Sequence, residues 1–366
     1  MNNIQKIGKF EAISIVVMVT ITQIILNLPN SIIINTGSSS WLNVLYVSII
    51  AILFCFLICK LFNPFSNSDI IDISEFLGGK ILKFTISILY ILFFIFISSI
   101  VVRYFSSSLK LIYFENSPLV FILLLFLVPV IIVARVGIKS IAKVNLIITI
   151  ILSISLLIIL VFTSVNFVPQ QIYPILGFGI NKTFISGISN IFAFSSFSYL
   201  YFLIPYLKNP DEFKKIAISS TVISSIYLFL SVVCLIMVFP FISFTEEMLS
   251  VYLLTRIIEF GKFFQRVDAL FIFIWILSTL SFLAFTTHLI GNIFKKITKI
   301  EDEKELIYVI TNFIFALALI YNNIAILKYL QNYILKYFTI ILVFIISLLI
   351  LIFANLKLKR RHFNAN

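Results

Sequence analysis

Residues 10–34 read FEAISIVVMVTITQIILNLPNSIII, and this stretch decides the class of fold. Its one charged side chain, Glu11, lies at the very start, and the rest is apolar or uncharged. The stretch is longer than the roughly 20 residues that cross a bilayer. It is too long for the apolar part of a signal peptide, and no small-residue cleavage site follows it. The stretch therefore predicts a first membrane-spanning helix.

The whole chain shares this character. Of its 366 residues, 61% are hydrophobic and 11% are charged, whereas a soluble domain carries about 25% charged residues. The net charge of +12 could suggest nucleic-acid binding, but the basic residues lie in short loops between apolar runs. We therefore expect an all-α membrane protein whose partner is the lipid bilayer and not nucleic acid. Its three cysteines are expected to be free and buried.

Apolar runs predict about ten transmembrane helices. They lie at 10–34, 41–59, 84–102, 118–134, 144–165, 184–206, 216–238, 269–290, 306–321 and 337–353. The third is expected to continue past Arg103 towards Phe114. The connection 66–83 is predicted to form an interfacial helix that ends at Gly78-Gly79. Residues 243–261 are predicted to form an amphipathic helix on the outer surface, starting at a Ser243-x-x-Glu246 capping box, or a loop packed on the bundle.

Lysine and arginine are distributed unevenly between the two sides of this arrangement. The side with both termini holds 19 of the 27 basic residues, the other side holds 7 including Lys336, and Arg103 borders the third span. Because basic residues are enriched in cytoplasmic loops, both termini are predicted to be cytoplasmic. A basic cytoplasmic tail is expected at 356–366.

Ten spans divide into five plus five, which suggests a LeuT-like inverted repeat within a single transmembrane domain over 1–366. Repeat one is expected at about 9–165 and repeat two at about 183–355. Five is odd, so the second half enters with the opposite orientation. Polar residues precede Pro29 in the first span and Pro205 in the sixth. Both of these helices are therefore expected to be discontinuous.

Polar side chains near the two expected breaks are the candidate ligand-binding residues: Thr22, Gln23, Asn27, Ser195, Ser196 and Tyr199. Such a site suits a zwitterionic or neutral small molecule. The alternative is that these side chains form hydrogen bonds between helices and bind nothing. Arg103 also has two interpretations. Its guanidinium extends to the outer headgroups, or it faces an outward vestibule and binds a carboxylate.

Motifs for catalysis or for cofactor binding do not occur in the sequence. There is no P-loop, GxGxxG, HExxH or paired CxxC, and the two histidines, His288 and His362, lie in different parts of the chain. We therefore expect no enzymatic activity, no cofactor and no metal site. His288 is expected either to relay protons or to form a local hydrogen bond near the cytoplasmic end.

An ordered set of short motifs resembles a known family. Residues 264–271, FQRVDALF, followed by Trp275, resemble the F-x-R-[I/V]-[D/E]-A-x-F…W signature of the eighth span in the B subunits of endospore germinant receptors. The segments around Pro29 and Pro205 resemble the ends of that family's first and sixth spans, and Arg103 falls where members often carry arginine. Arg266 and Asp268 are expected to form an ion pair at the outer mouth of the eighth span.

The resemblance implies the five-plus-five fold of the amino acid–polyamine–organocation superfamily. It also implies a place in the inner spore membrane beside an A subunit and a lipoprotein C subunit, and recognition of a small germinant. The chain departs from the family pattern at 23–26 and 194–198, where a glycine break and an acidic residue are common in members but absent here. Ligand or proton roles therefore do not transfer directly to those positions.

Two functions remain open, with a scaffold role beside the A subunit as a third. One is a germinant-receptor B subunit that senses an amino acid-like nutrient. The other is a proton- or sodium-coupled amino acid permease of the same superfamily. Coupled transport usually uses a carboxylate inside the membrane. The predicted spans contain only Glu11 at an inner edge, with Asp268 at an outer mouth, which favours sensing.

Overall fold

The computed structural model describes residues 5–245, 250–258, 267–298, 303–321 and 323–363. In these ranges regular secondary structure is helical, apart from one parallel bridge between Ile7 and Leu207. Seven described helices are long and apolar enough to cross a membrane, and a bent pair makes an eighth. These observations confirm an all-α membrane fold, while the count of ten spans stays a prediction.

The first half of the chain contains six α-helices. They are α1 (Lys9–Leu26), α2 (Leu28–Thr36), α3 (Ser40–Phe62), α4 (Ile70–Ile112), α5 (Leu119–Ala134) and α6 (Ile138–Thr163). The second half begins with a π-helical turn, Asn181–Ile185, and a 3-10 helix, Ser186–Phe194. It continues with α7 (Phe197–Leu203), α8 (Phe213–Val238), α9 (Ser250–Ile257), α10 (Val267–Thr298) and α11 (Glu303–Ile320).

The final helix is longer than the sequence predicts. It runs through α12 (Ile324–Tyr329), α13 (Lys336–Thr339) and α14 (Ser347–Phe363), which are joined by π-helical stretches at Leu330–Leu335 and Ile340–Ile346. The predicted start at 337 was wrong because polar residues in the first turns lower the local hydropathy. Lys336, counted above with the outer loops, lies inside this helix and is buried.

The helix α4 has a break near its start. The Asp69 side chain accepts hydrogen bonds from the backbone N–H groups of Ile71 and Asp72 and thereby caps the helix. At Gly79 the backbone has φ +70°, a conformation that favours glycine. A helical segment at 70–77 therefore ends at the glycine pair as predicted, and α4 continues beyond Arg103 to Ile112.

The predicted outer amphipathic helix requires a correction. The helix α9 packs against α1, α6, α8 and α10 instead of lying on the surface. Its most buried apolar side chains are Val251 and Leu254, and Ile258, directly after the helix, is also buried. Ser243 lies in a separate 3-10 turn and donates to the carbonyl of Pro240. Its expected partner Glu246 lies outside the described residues.

The first and the last described segments of the chain lie at one end of the molecule, which we call the terminal end. The backbone N–H of Ile7 donates to the carbonyl of Tyr206, and the Lys357 ammonium donates to the carbonyls of Phe76 and Leu77. At the opposite, distal end, Ser38 donates to the carbonyl of Pro174. The alternation of connections between the two ends agrees with an even number of spans.

Candidate functional site

The first helix breaks at Asn27. The helix α1 ends at Leu26, Asn27 has φ −164° and ψ 3°, and α2 begins at Leu28. Pro29 lies in the first turn of α2, where its missing N–H costs no hydrogen bond within the helix. The predicted discontinuity of the first helix is therefore present, and Pro29 belongs to it.

The sixth predicted span is also broken. The 3-10 helix ends at Phe194, α7 starts at Phe197, and the two parts are bent by 40°. Pro205 does not lie at this break, because α7 runs on to the terminal end before reaching it. There the carbonyl of Pro205 accepts a hydrogen bond from the Lys6 ammonium. Pro29 therefore lies at the break of its helix, whereas Pro205 lies at the far end of its own.

The two breaks meet through buried hydrogen bonds. The Gln23 amide donates to Ser195 Oγ at 2.9 Å, and Ser195 Oγ is 3.2 Å from Gln23 Oε1. One turn earlier in α1, Thr20 Oγ1 donates to Ser196 Oγ at 3.1 Å. The structure thus brings together Gln23, Ser195 and Ser196 from the predicted set. These contacts agree with both the ligand-binding and the helix-pairing interpretations, so ligand binding stays a prediction.

Two predicted residues have buried oxygen atoms without a described partner. These atoms are Thr22 Oγ1 and Asn27 Oδ1, and both side chains are at most 1% exposed. An unsatisfied buried polar atom typically costs about 1–3 kcal/mol. Such atoms in a native structure call for an explanation. Neither residue lines the small cavity described below.

Tyr199 and Arg103 lie away from the Gln23–Ser195 contact. The Tyr199 hydroxyl is 3.0 Å from Thr286 Oγ1, and its ring packs on Phe94 of α4. Arg103 is 8% exposed and donates through Nη1 to the carbonyl of Ala318 at 3.1 Å. It borders a distal cavity of about 540 Å³ that Lys110 and Glu115 also line. This burial fits the vestibule interpretation better than extension to the headgroups.

A small cavity lies beside the break of the first helix. Its volume is about 20 Å³, enough for one water molecule and far below the roughly 300 Å³ of a typical ligand pocket. The lining includes Gln23 and Leu26 of the first helix, Tyr104, Phe192, Gln331 and Leu335. The structure therefore holds the junction of the two broken helices in a closed form.

The sequence of this chain is similar to those of known proteins. A family model described as "Spore germination protein" matches residues 6–327. The chain belongs to this family. Spore germination protein B2 of Bacillus subtilis (strain 168) is 26% identical over 215 residues, which cover 58% of each chain. Spore germination protein YndE of the same organism is 24% identical over 301 residues, covering 80% of this chain and 82% of that protein.

Solved structures show that this spore germination protein has the LeuT-type transporter fold. A substrate-bound Na⁺-coupled sialic acid symporter in an outward-open state matches with a TM-score of 0.66 at 13% identity, covering 93% of this chain and 80% of its own. MhsT in complex with L-phenylalanine matches with a TM-score of 0.66 at 13% identity, covering 95% and 97%. At this identity the likeness concerns the fold alone.

One buried charged residue of this family member, Lys336, was not predicted from the sequence to lie inside the protein. Lys336 is 7% exposed and its ammonium donates to Asn190 Oδ1 at 3.3 Å. It also lies 5.6 Å from the centre of the Phe192 ring. The local apolar pattern did not reveal this burial, because Ile334 is exposed and does not share the buried face of Leu327 and Leu335.

A cluster of three charged side chains lies at the terminal end of the protein. The Lys296 ammonium of α10 lies 2.6 Å from Asp69 Oδ2 and 2.7 Å from Asp72 Oδ2. Burial raises the pKa of the Asp69 carboxyl to about 6, and the positive charge of Lys296 opposes this rise. The cluster connects the end of α10 to the start of α4.

The remaining motif residues have structural contacts where the structure describes them. The Tyr252 hydroxyl is 3.5 Å from Asp268 Oδ2, but Arg266 lies outside the described residues, so their ion pair stays a prediction. Trp275 is fully buried against Phe105. His288 Nδ1 lies 3.1 Å from the carbonyl of Ala134, in a local hydrogen bond. Within the described ranges, no three His, Cys, Asp or Glu residues are grouped to hold a metal ion.

Proposed function

We propose that this protein is the B subunit of a spore germinant receptor, which senses a small amino acid-like nutrient in the membrane and helps to trigger germination. It acts in the inner spore membrane, with cytoplasmic termini, beside A and C subunits. It is a sensor and not an enzyme. The observation that carries the proposal is a closed polar junction between two broken helices in a member of the spore germination family.

The chemistry of the junction supports sensing over coupled transport. The small cavity beside the break of the first helix, which we call the central cavity, has no carboxylate among its described lining residues. Glu11 accepts a hydrogen bond from the backbone N–H of Gly8 and caps the start of α1. Coupled transporters often use Asp or Glu side chains inside the membrane as proton relays. A transporter fold without a carboxylate in the lining of this cavity retains the means to bind a solute.

The second candidate is a coupled amino acid permease of the same superfamily. Its support is the fold, which is shared with a Na⁺-coupled symporter. Uptake of radiolabelled amino acids by proteoliposomes, with and without sodium or proton gradients, separates the two functions. A sensor binds without gradient-driven accumulation, whereas concentrative uptake would establish the permease.

The test of the first proposal is germination of spores with altered junction residues. Gln23→Ala and Ser196→Val each remove one hydrogen-bonding group, which costs about 1 kcal/mol or more. The half-maximal germinant concentration should rise by roughly five- to a hundredfold, with an unchanged maximal response. Ser140→Val, an exposed site at the terminal end, is the matched control.

Protein levels in the spore membrane are measured by immunoblot for every variant. Deletion of the gene should abolish the response to at least one nutrient. Normal levels with unshifted dose curves at Thr22, Gln23, Asn27, Ser195, Ser196 and Tyr199 would place ligand recognition on another subunit.

A further inference from the structure

Lys336 is a buried cation that makes no ion pair with any described residue. It opens the short segment α13 between two π-helical stretches of the final helix. In the described part of the chain, its ammonium contacts one hydrogen-bond acceptor, Asn190 Oδ1, and the face of the Phe192 ring. No described carboxylate lies within ion-pair distance of it. An ammonium has three donors, and burying it without a counter-charge is costly.

The amide that accepts from Lys336 belongs to a chain of hydrogen bonds. Asn190 Nδ2 donates to Asn43 Oδ1 at 2.7 Å, and Asn43 Nδ2 donates to the carbonyls of Thr183 and Gly187. This chain of hydrogen bonds fixes Asn190 Oδ1 as the acceptor that faces Lys336. The same oxygen also accepts from Asn35 Nδ2 at 3.1 Å. The Lys336 ammonium and the Asn35 amide thus share one neutral acceptor, Asn190 Oδ1.

The cation lies beside the junction of the broken helices. Asn35 belongs to α2, which follows the first break, and Asn190 belongs to the 3-10 helix before the second break. Phe192 contacts the ammonium and also lines the small central cavity, as does Leu335, the residue before Lys336. Folds of this kind bind solutes where the two helices are interrupted. An ionisable residue inside a membrane protein commonly marks such a pathway.

We propose that Lys336 binds the carboxylate of the small-molecule ligand, with Asn35 as a second donor and Phe192 as the ring that separates this position from the central cavity in the closed form. The inference rests on the proposed sensing function and adds the ligand class, a carboxylic acid. Arg103 differs from Lys336, because it already bonds a backbone carbonyl and borders a wide distal cavity.

The experiment compares charge variants on acid and amide ligands. Spores carry Lys336→Met, which keeps the length and removes the charge, Lys336→Arg, which keeps the charge, or Arg103→Gln. Lys182→Met, an exposed lysine at the distal end, is the matched control. Each strain is exposed to the twenty common L-amino acids and to the carboxamides of those that trigger germination. Protein levels are checked by immunoblot.

We expect active acids to lose activity on conversion to the carboxamide. Lys336→Met should raise the half-maximal acid concentration by roughly ten- to a hundredfold, because a charge-assisted hydrogen bond is lost. Lys336→Arg should shift the curve less, and Lys182→Met should not shift it. If Lys336→Met does not accumulate, the carboxamide arm and Lys336→Arg decide the question.

Three results would overturn the inference. Equal potency of acids and carboxamides would show that no carboxylate is recognised. A shift in Arg103→Gln with none in Lys336→Met would assign the carboxylate to Arg103. In both cases the sensing function would stand. A deletion strain that germinates normally on every compound would instead remove the sensing function and the inference together.

Discussion

At the scale of single residues, the contribution of a buried polar side chain to the stability of this membrane protein depends on whether it has a hydrogen-bond partner. Thr20 and Thr22 lie two positions apart in α1 and are both buried. Thr20 donates to Ser196 across the junction, whereas the Thr22 hydroxyl has no partner among the described residues. Hydrogen bonds between membrane helices are worth about 1 kcal/mol, so the two threonines should respond differently to the same substitution.

We predict that Thr20→Val lowers the free energy of unfolding by about 1 kcal/mol, because Ser196 loses its partner. Thr22→Val should leave it unchanged or raise it, because the substitution removes an unsatisfied hydroxyl and keeps the shape. Thermal unfolding in detergent can be followed with a thiol-reactive fluorophore, since Cys55, Cys59 and Cys234 are buried and free. An equal loss in both variants would contradict the partner assignment.

Sequence reasoning identified part of the junction at this scale. Gln23, Ser195 and Ser196 stand out because polar residues are rare in apolar spans, and the structure brings them together. The orientation of Tyr199 towards Thr286 depends on the rotation of α7, which no local pattern fixes. Lys336 was missed because its burial depends on where a helix begins.

At the scale of elements, the start of α4 combines a helix cap with an ion pair. Asp69 caps the helix and also forms an ion pair with Lys296, which forms a second ion pair with Asp72. Because burial raises the pKa of Asp69 from 3.8 to about 6, the charged form is disfavoured in the folded protein. The protonated Asp69 carboxyl is therefore the form that favours folding. The stability that it contributes is fully present below pH 3.8 and is lost as the pH rises through about 6.

Two substitutions of Asp69 should therefore differ in their effect on stability. At pH 7, Asp69→Asn should be no less stable than the wild type, because asparagine caps a helix as well as aspartate does. Asp69→Ala should be about 1 kcal/mol less stable than Asp69→Asn, because the cap is lost. The same thermal assay measures both, with Asp211→Asn, an exposed acid at the terminal end, as control. If both variants lost the same stability, the charge and not the cap would dominate.

Elements were predictable where polar clusters or glycines interrupt apolar runs. The breaks at Asn27 and at 195–196, and the kink at Gly79, follow from such interruptions. The start of the final helix and the packing of α9 were not predictable. Both depend on neighbouring helices that cover polar or amphipathic faces, and this information is absent from a local window of sequence.

At the scale of the whole molecule, the distribution of basic residues and the contacts at the two ends agree. The terminal end contains the first and the last described segments, and the predicted cytoplasmic side holds 19 of the 27 basic residues. The overall fold resembles transporters at 13% identity, since the lengths and order of apolar helices can persist while most side chains change. The sequence pattern therefore predicts the architecture better than it predicts the site.

Cysteine labelling tests the orientation of the molecule. Asn166 and Asn209 are both exposed, the first at the distal end and the second at the terminal end. A membrane-impermeant maleimide should label Asn166→Cys in intact cells and spare Asn209→Cys until the membrane is permeabilised. The native cysteines are buried and should remain silent. Labelling of Asn209→Cys alone in intact cells would reverse the orientation.

The small size of the cavity beside the first break has a consequence for the apparent affinity of the proposed binding site. A space of about 20 Å³ admits no nutrient molecule, so binding there, as we propose, requires a transient open population. If that population is about 1%, the apparent dissociation constant is about a hundredfold weaker than the intrinsic one. The apolar side chains that line this cavity, Phe192 and Leu335 among them, therefore set a threshold against weak ligands. Sensitivity to a nutrient is then set by the cost of opening as much as by the contacts made after it.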